Sequence, residues 1–304
     1  MTKAQLNSPF ESIAKRIDPQ AKHVRHWPLT GGVSAQLEAI EYEFAEGADR
    51  RVVVRQHGAA EWKQLEDDVT ATEFSLQTTL FQRGFPVPEP LFLDVSCSVL
   101  PSPYLVMPMV EGTTEVDETR LEDVLHQMAD FLLRLHNLET EILNVTRQLP
   151  HGDNPVKGAL EYVPDTASNA LLRAALSSWV TKPSGTSLLH GDFWPGNILW
   201  SDNEIAAVID WEDASIGAVE SDLAGCRSEI LVMFGEPAME AFTQRYLSGT
   251  TREITDLPVW EVYASFAALS TMSEWGLPQE VEATRRERTA IFAERAAREV
   301  IDRA

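Results

Sequence analysis

Positive charge is scarce in this 304-residue sequence: 25 Lys and Arg stand against 47 Asp and Glu, a formal net charge of −22. That deficit argues against non-specific binding to nucleic acid or to an anionic membrane, because neutralising phosphates needs surplus Lys and Arg. Cationic partners, small molecules and metal ions remain open to it. Cysteine is scarcer still. Cys97 and Cys226 are the two in the chain; they form no CxxC pair, so neither a zinc cluster nor a disulfide framework is expected. No apolar run approaches the ~18 residues that a membrane span needs. The opening MTKAQLNSPFESIAKRID has no apolar signal-peptide core, so a soluble cytoplasmic protein is the expectation.

What is present is ordinary globular material, 44% hydrophobic and 24% charged, which sets disorder aside for the chain as a whole. Phe10, Ile13, Ala14 and Ile17 make an amphipathic opening. Ile40, Tyr42 and Phe44 alternate with Glu41 and Glu43, which reads as a strand. Residues 46–49 read as a turn, and Arg51 to Arg55 as a second, β-branched strand. A helix is expected over 65–83, with Val69, Leu76 and Leu80 on one face, Gly84 at its C-terminal end, and Pro86, Pro88 and Pro90 forbidding continuation. Glu73 falls within that apolar stripe. From the helix alone, a partly exposed Glu at the stripe edge is the favoured reading; a buried one would need a partner. Further strands fit residues 91–95 and 104–109. From Thr119 the pattern turns helical: Leu121, Val124, Leu125, Met128, Phe131, Leu132 and Leu135 keep a period of 3.6. Residues 139–183 are patchy and punctuated by proline, and the chain from Val259 onward reads as helical again.

The chemistry concentrates in LLHGDFWPGNILWSDNEIAAVIDWED, residues 188–213. Two short apolar strands, 198–200 and 205–209, flank a turn at Ser201, Asp202 and Asn203. A hairpin of that length would bring Asn197 and Asp210 side by side, an oxygen pair suited to Mg²⁺. Asp192 would stand on the loop beside them, able to accept a proton from a hydroxyl. The protein-kinase catalytic loop has the form H-R-D-x-x-x-x-N, followed later by a metal-binding Asp. Here Asp192 is followed by Asn197 at the same spacing, and Asp210 is the later acid. The kinase V-A-I-K strand corresponds to Val52-Val53-Val54-Arg55, and the kinase helix glutamate to Glu73.

With those residues in place, the chain resembles the aminoglycoside phosphotransferase/choline kinase-like family of small-molecule kinases over roughly residues 25 to 275. The HGDxxPGN and IDWED blocks carry the likeness, together with the TGGVS loop, the YLVMPMVEG hinge and the Leu135-His136 pair. The resemblance implies an α+β, bilobal, protein kinase-like fold. Residues 1–109 would form a small antiparallel-sheet nucleotide-binding lobe, with a hinge near 107–112, and residues 110–304 a larger, mainly helical catalytic and acceptor-binding lobe. Asp192 would be the catalytic base, and Asn197 and Asp210 the Mg²⁺ ligands. Arg55 would contact nucleotide phosphates and pair with Glu73. Gly31, Gly32 and Ser34 would border the phosphates, and the backbone of Met107 and Met109 would meet the base of ATP or GTP. Asp222 would brace the catalytic region, and His190 would hydrogen-bond the loop. The usual strand lysine is Arg55 here, which keeps the charge but offers a planar fork, and the family's Gly-Asp-Pro appears as Gly217-Ala218-Val219.

Several readings stand open. Trp194, Glu212, Asp213, Glu274 and Trp275 are candidates for the acceptor side; for Trp194 plain packing serves as well, for Glu274 and Trp275 core packing and surface exposure are the favoured readings, and Met107 and Met109 also fit a place in the core. His136 reads as a packed helix-end histidine. His151-Gly152-Asp153 repeats the tripeptide without the Asn and reads as a loop. The expected activity is Mg²⁺-dependent transfer of a nucleoside triphosphate γ-phosphoryl group to the hydroxyl of a small molecule, an aminoglycoside or other amine-bearing acceptor among them. The alternative is a nucleotide-binding, pseudokinase-like sensor. Between Pro183 and Cys226 there is no Lys or Arg, so the acids there would either attract a cationic acceptor or serve solubility.

Overall fold

The computed structural model describes residues 8–29, 35–43, 49–57, 69–143, 160, 166, 169–179 and 185–303. It divides into two compact units. The first comprises Met1–Gly112 and Ala206–Glu212, the second Thr113–Ile205 and Asp213–Ala304.

The first unit is built on a five-stranded antiparallel sheet of order β1-β2-β3-β5-β4. Its strands are β1 (Lys22–Pro28), β2 (Ala35–Glu43), β3 (Asp49–His57), β4 (Phe92–Asp94) and β5 (Tyr104–Pro108). In this register Ile40 lies opposite Val52, Val54 opposite Val106, and Arg55 opposite Leu105. Because side chains alternate along a strand, Ile40, Tyr42, Val52, Val54, Tyr104 and Val106 share one face. There they bury against Ile13 and Ala14 of helix α1 (Pro9–Ile17). The same parity sends Arg55 to the opposite face.

That face meets helix α2 (Val69–Gln82), whose buried stripe is Thr70, Glu73, Leu76, Gln77 and Leu80. Gly84, at φ +73°, ends α2 as the sequence predicts. The Phe85 N–H closes onto the Leu80 carbonyl at 3.0 Å, the cross-link of a Schellman motif. The expected start of α2, residues 65–68, lies outside the described residues, as do Phe44 and the turn at 46–48.

The second unit is mainly helical: α3 (Leu121–His136), α4 (Ala170–Ser178), α5 (Val219–Phe234), α6 (Glu236–Gly249), α7 (Leu257–Thr271) and α8 (Gln279–Arg303). Leu172 and Leu176 of α4, Ala224 of α5, Trp260 and Val262 of α7, and Ala293 and Ala297 of α8 form its core. β6 (Ser187–Leu189) pairs with β9 (Ser215–Gly217), and β7 (Ile198–Ser201) with β8 (Glu204–Val208). Asp202 and Asn203 turn the β7–β8 hairpin at φ +51° and +66°. Two successive left-handed residues are what a tight hairpin of matching twist needs, and Asp and Asn tolerate that region best after glycine. Within β8 the chain leaves the second unit for the first, and it returns after Glu212.

Both cysteines are free, Cys97 exposed and Cys226 buried. Among the described residues no helix is long and apolar enough to cross a membrane.

Candidate active site

In the first unit Arg55 is the centre of a charge cluster. It is 6% exposed. Its Nε donates to Glu73 Oε2 at 3.2 Å, and its Nη2 donates to both Asp210 Oδ1 and Glu212 Oε2 at 2.6 Å. Glu73 is 2% exposed. The stripe-edge reading of Glu73 is therefore overturned: strand parity supplies the cation that a buried carboxylate requires. Glu73 Oε1 also accepts from Gln77 Nε2 at 2.9 Å. Burial alone would lower the Arg55 pKa, but the three carboxylates outweigh it and hold the guanidinium firmly protonated. For Asp210 burial raises the pKa, and Glu212 and Glu73 push the same way against Arg55.

Asp210 sits at φ +69°, a left-handed backbone that Asp adopts more easily than most residues. Beside it Trp211, fully buried, donates its indole N–H to the Val208 carbonyl at 3.0 Å. Val208 in turn donates its N–H to Pro86 O at 2.7 Å. This apolar anchor fixes the turn that carries Asp210 and Glu212. Glu212, expected on the acceptor side, instead belongs to the Arg55 cluster. It follows Asp210 by two residues, and the second acid of the block reaches the same guanidinium nitrogen.

Met107 pairs with Val53 in the sheet and is buried, and the Met109 N–H donates to Arg51 O at 3.0 Å. That amide is thus committed to the chain. Gly31, Gly32 and Ser34 lie outside the described residues.

In the second unit the loop after β6 carries His190, Gly191, Asp192 and Asn197. One buried carboxylate holds it. Asp222, near the start of α5, accepts the His190 N–H on Oδ2 at 2.8 Å and the Gly191 N–H on Oδ1 at 2.9 Å. His136, last residue of α3, adds its Nε2 at 3.2 Å from Asp222 Oδ2, while its Nδ1 meets the Tyr246 hydroxyl at 2.8 Å. Both ring nitrogens of His136 are thus answered, Nδ1 by the Tyr246 hydroxyl and Nε2 by the Asp222 carboxylate. Burial would raise the Asp222 pKa, but the His136 hydrogen bond and charge, with the His190 amide, hold it below the ordinary carboxylate range. Tyr246 of α6 and the reach of His136 were missed in the sequence, because positions 136, 222 and 246 share no local pattern.

Gly191, at φ +88°, approaches the chain so closely that a Cβ would overlap the Asp213 carbonyl oxygen. Past it, the Asp192 N–H reaches His190 Nδ1 at 3.2 Å, so His190 does tie the loop. The Asn197 Nδ2 donates to the Asp192 carbonyl at 2.9 Å and to its Oδ2 at 2.8 Å. Asn197 is buried, whereas Asp192 is exposed. With its nitrogen spent on Asp192, the amide of Asn197 has its oxygen to offer a metal.

Half-buried Trp194 lies over Gly196, where a Cβ would collide with the indole. Asp213 has an exposed side chain, and its carbonyl is the group that faces Gly191. Glu274 is exposed at the end of the short 3-10 turn Met272–Glu274. Trp275 carries the Arg285 guanidinium 6.0 Å from its ring centroid. His151 to Asp153 lie outside the described residues.

An antiparallel sheet with a buried Arg–Glu pair, and a helical unit with a braced Asp-x₄-Asn loop, define the class: a protein kinase-like fold of the small-molecule phosphotransferases. Residues 32–266 match the Phosphotransferase enzyme family, and the chain belongs to it.

Solved structures of similar fold include the GDP complex of aminoglycoside 2'-phosphotransferase-IIIa (16% identity, TM-score 0.64, covering 95% of this chain and 99% of that one). Another is macrolide 2'-phosphotransferase MphH from Brachybacterium faecium (18%, 0.61, 93% and 96%). A third is a ternary complex of aminoglycoside phosphotransferase APH(4)-Ia with AMP-PNP and hygromycin B (17%, 0.63, 95% and 98%). Among curated relatives, acyl-CoA dehydrogenase family member 11 of Homo sapiens is 30% identical over 175 residues, 50% of this chain and 22% of that protein. Family member 10 of Mus musculus is 22% identical over 253 residues, 72% of this chain and 23% of that protein. The chain thus spans less than a quarter of the length of these relatives.

Proposed function

We propose that the protein transfers the γ-phosphoryl group of ATP or GTP to a hydroxyl of a small molecule with the help of Mg²⁺. The observation that carries this reading is the state of Asp192: an exposed carboxylate, steadied by the Asn197 amide, on a loop that Asp222 holds from beneath. A base for a substrate hydroxyl needs that combination of access and fixed position. In the reaction the acceptor O–H gives its proton to Asp192 as its oxygen bonds the γ-phosphorus. The bond from the γ-phosphorus to the β,γ-bridging oxygen breaks, and the nucleoside diphosphate leaves.

Asn197 and Asp210 are assigned to Mg²⁺. Their amide and carboxylate oxygens suit it, and the Arg55 cluster, with three carboxylates to one guanidinium, has the charge to take a cation. When bound, Mg²⁺ would neutralise charge developing on the phosphates. Among the described residues no group of three or more His, Cys, Asp or Glu side chains could hold a metal ion by itself. Arg55 is assigned to the phosphates, with Glu73 as its partner.

An amine-bearing acceptor is supported by neighbours named for aminoglycosides and macrolides and by the absence of Lys and Arg between Pro183 and Cys226. Both favour a hydroxylated amine over an anion. The test is incubation with Mg²⁺, ATP or GTP, and panels of hydroxylated amines and neutral polyols, followed by ³¹P NMR. Asp192→Ala should cut the transfer rate about 10²- to 10⁴-fold with nucleotide affinity unchanged. Transfer that survives Asp192→Ala would remove Asp192 from the mechanism, and no transfer to any acceptor would count against a kinase.

A further inference from the structure

We propose that Gln77 is a positioning residue for Arg55, acting through Glu73. The inference rests on the reading of Arg55 as the cation for the nucleotide phosphates.

Glu73 and Gln77 lie one turn apart on the buried stripe of α2, each 2% exposed. Among the described residues each of the two Glu73 carboxylate oxygens meets a different donor. Oε2 takes Arg55 Nε at 3.2 Å, and Oε1 takes Gln77 Nε2 at 2.9 Å. The terminal torsion of a glutamate is broad, so a single hydrogen bond leaves the carboxylate plane free to swing. A second donor from the same helix fixes it. With that plane fixed, Arg55 is held at Nε, and its Nη2 is presented where Asp210 and Glu212 now meet it.

The other end of the Gln77 amide shows what the residue is for. Its Oε1 is buried and meets no donor among the described residues. Reversing the amide would set that oxygen against Glu73 Oε1, acceptor to acceptor, so the present orientation is the one the network allows. A buried acceptor without a donor weakens folding, and an apolar side chain of similar shape would suit the stripe better. Gln77 therefore serves the Glu73 carboxylate at the expense of packing.

Gln77→Met and Gln77→Leu test this by titration with magnesium–AMP-PNP and magnesium–GDP, alongside thermal unfolding. Both variants should bind nucleotide about three- to tenfold more weakly while unfolding within a few degrees of wild type, because removing the orphaned Gln77 Oε1 offsets the donor lost to Glu73 Oε1. In a Glu73→Gln background the same substitutions should add less than about 1.5-fold, because the carboxylate they act through is gone. A structural role alone would make affinity fall with stability, and that pattern would overturn the proposal. Unchanged affinity, or an equal loss in the Glu73→Gln background, would overturn it while leaving the phosphotransfer reading standing. A wild type that binds neither nucleotide would overturn that reading and this one with it.

Discussion

Two charged clusters of this protein are built with opposite imbalances. Around Arg55 one cation is shared by three carboxylates, Glu73, Asp210 and Glu212. Around Asp222 one carboxylate collects the amides of His190 and Gly191 and the imidazole of His136. The second is saturated: every lone pair it needs for burial is answered, and it is a brace. Among the described residues the first sets three carboxylates against one guanidinium in a partly buried place, and buried charge left uncompensated costs stability. A carboxylate with several donors holds a backbone still, whereas the excess of carboxylates at Arg55 fits the cation site proposed there.

The largest expected effect tests the brace. Asp222→Ala should strand two backbone amides and His136, at a cost of about 3–5 kcal/mol. In a unit of this size that is a fall in unfolding temperature of roughly 6–20 °C by calorimetry. A fall of a degree or two would show that the loop does not depend on Asp222.

The pH dependence follows with a smaller effect. The Asp222 pKa is depressed in the fold, so its stabilisation is present above the unfolded value of about 3.9 and is lost as pH falls through the lower, folded value. The stability gap between wild type and Asp222→Asn should therefore be constant from about pH 7 to 5 and narrow below about pH 4. A gap that widens in acid would reverse the assigned direction.

The smallest effect has the opposite sign. Asp210→Asn removes one of the three carboxylates from Arg55 and should raise stability by about 1 kcal/mol or less, while magnesium-dependent nucleotide binding is lost. A destabilised Asp210→Asn would mean that the Arg55 cluster is a brace too, and the contrast would fail.

Much of this was legible in sequence because it depends on local patterns. The alternation that places Val52 and Val54 on one face of β3 also places Arg55 on the other, although its burial there depends on α2. Gly84 closes α2, and Asp202 and Asn203 turn the hairpin, each by backbone chemistry that acts over a few residues. The spacing of Asp192 and Asn197 was equally plain, and their hydrogen bonds are local. What local patterns could not supply were partners from elsewhere in the chain. Glu73 looked like a stripe-edge residue because its cation lies on another element. Glu212 looked like an acceptor ligand because its distance from Arg55, 157 positions away, is set by the fold. His136 and Tyr246, 110 positions apart, became readable as a pair only once α3 and α6 were packed.

The first unit takes Ala206–Glu212 from the far side of the chain, and that excursion limits how the protein can be divided. A fragment ending at Gly112 would contain Arg55 and Glu73 but neither Asp210 nor Glu212, so its guanidinium would have lost two of its three carboxylates. The complementary fragment would carry those two acids as an insertion without the sheet they belong to. Severing the chain at residue 112 therefore yields no independent half. Restoring the Arg55 cluster would require both pieces to meet while folding.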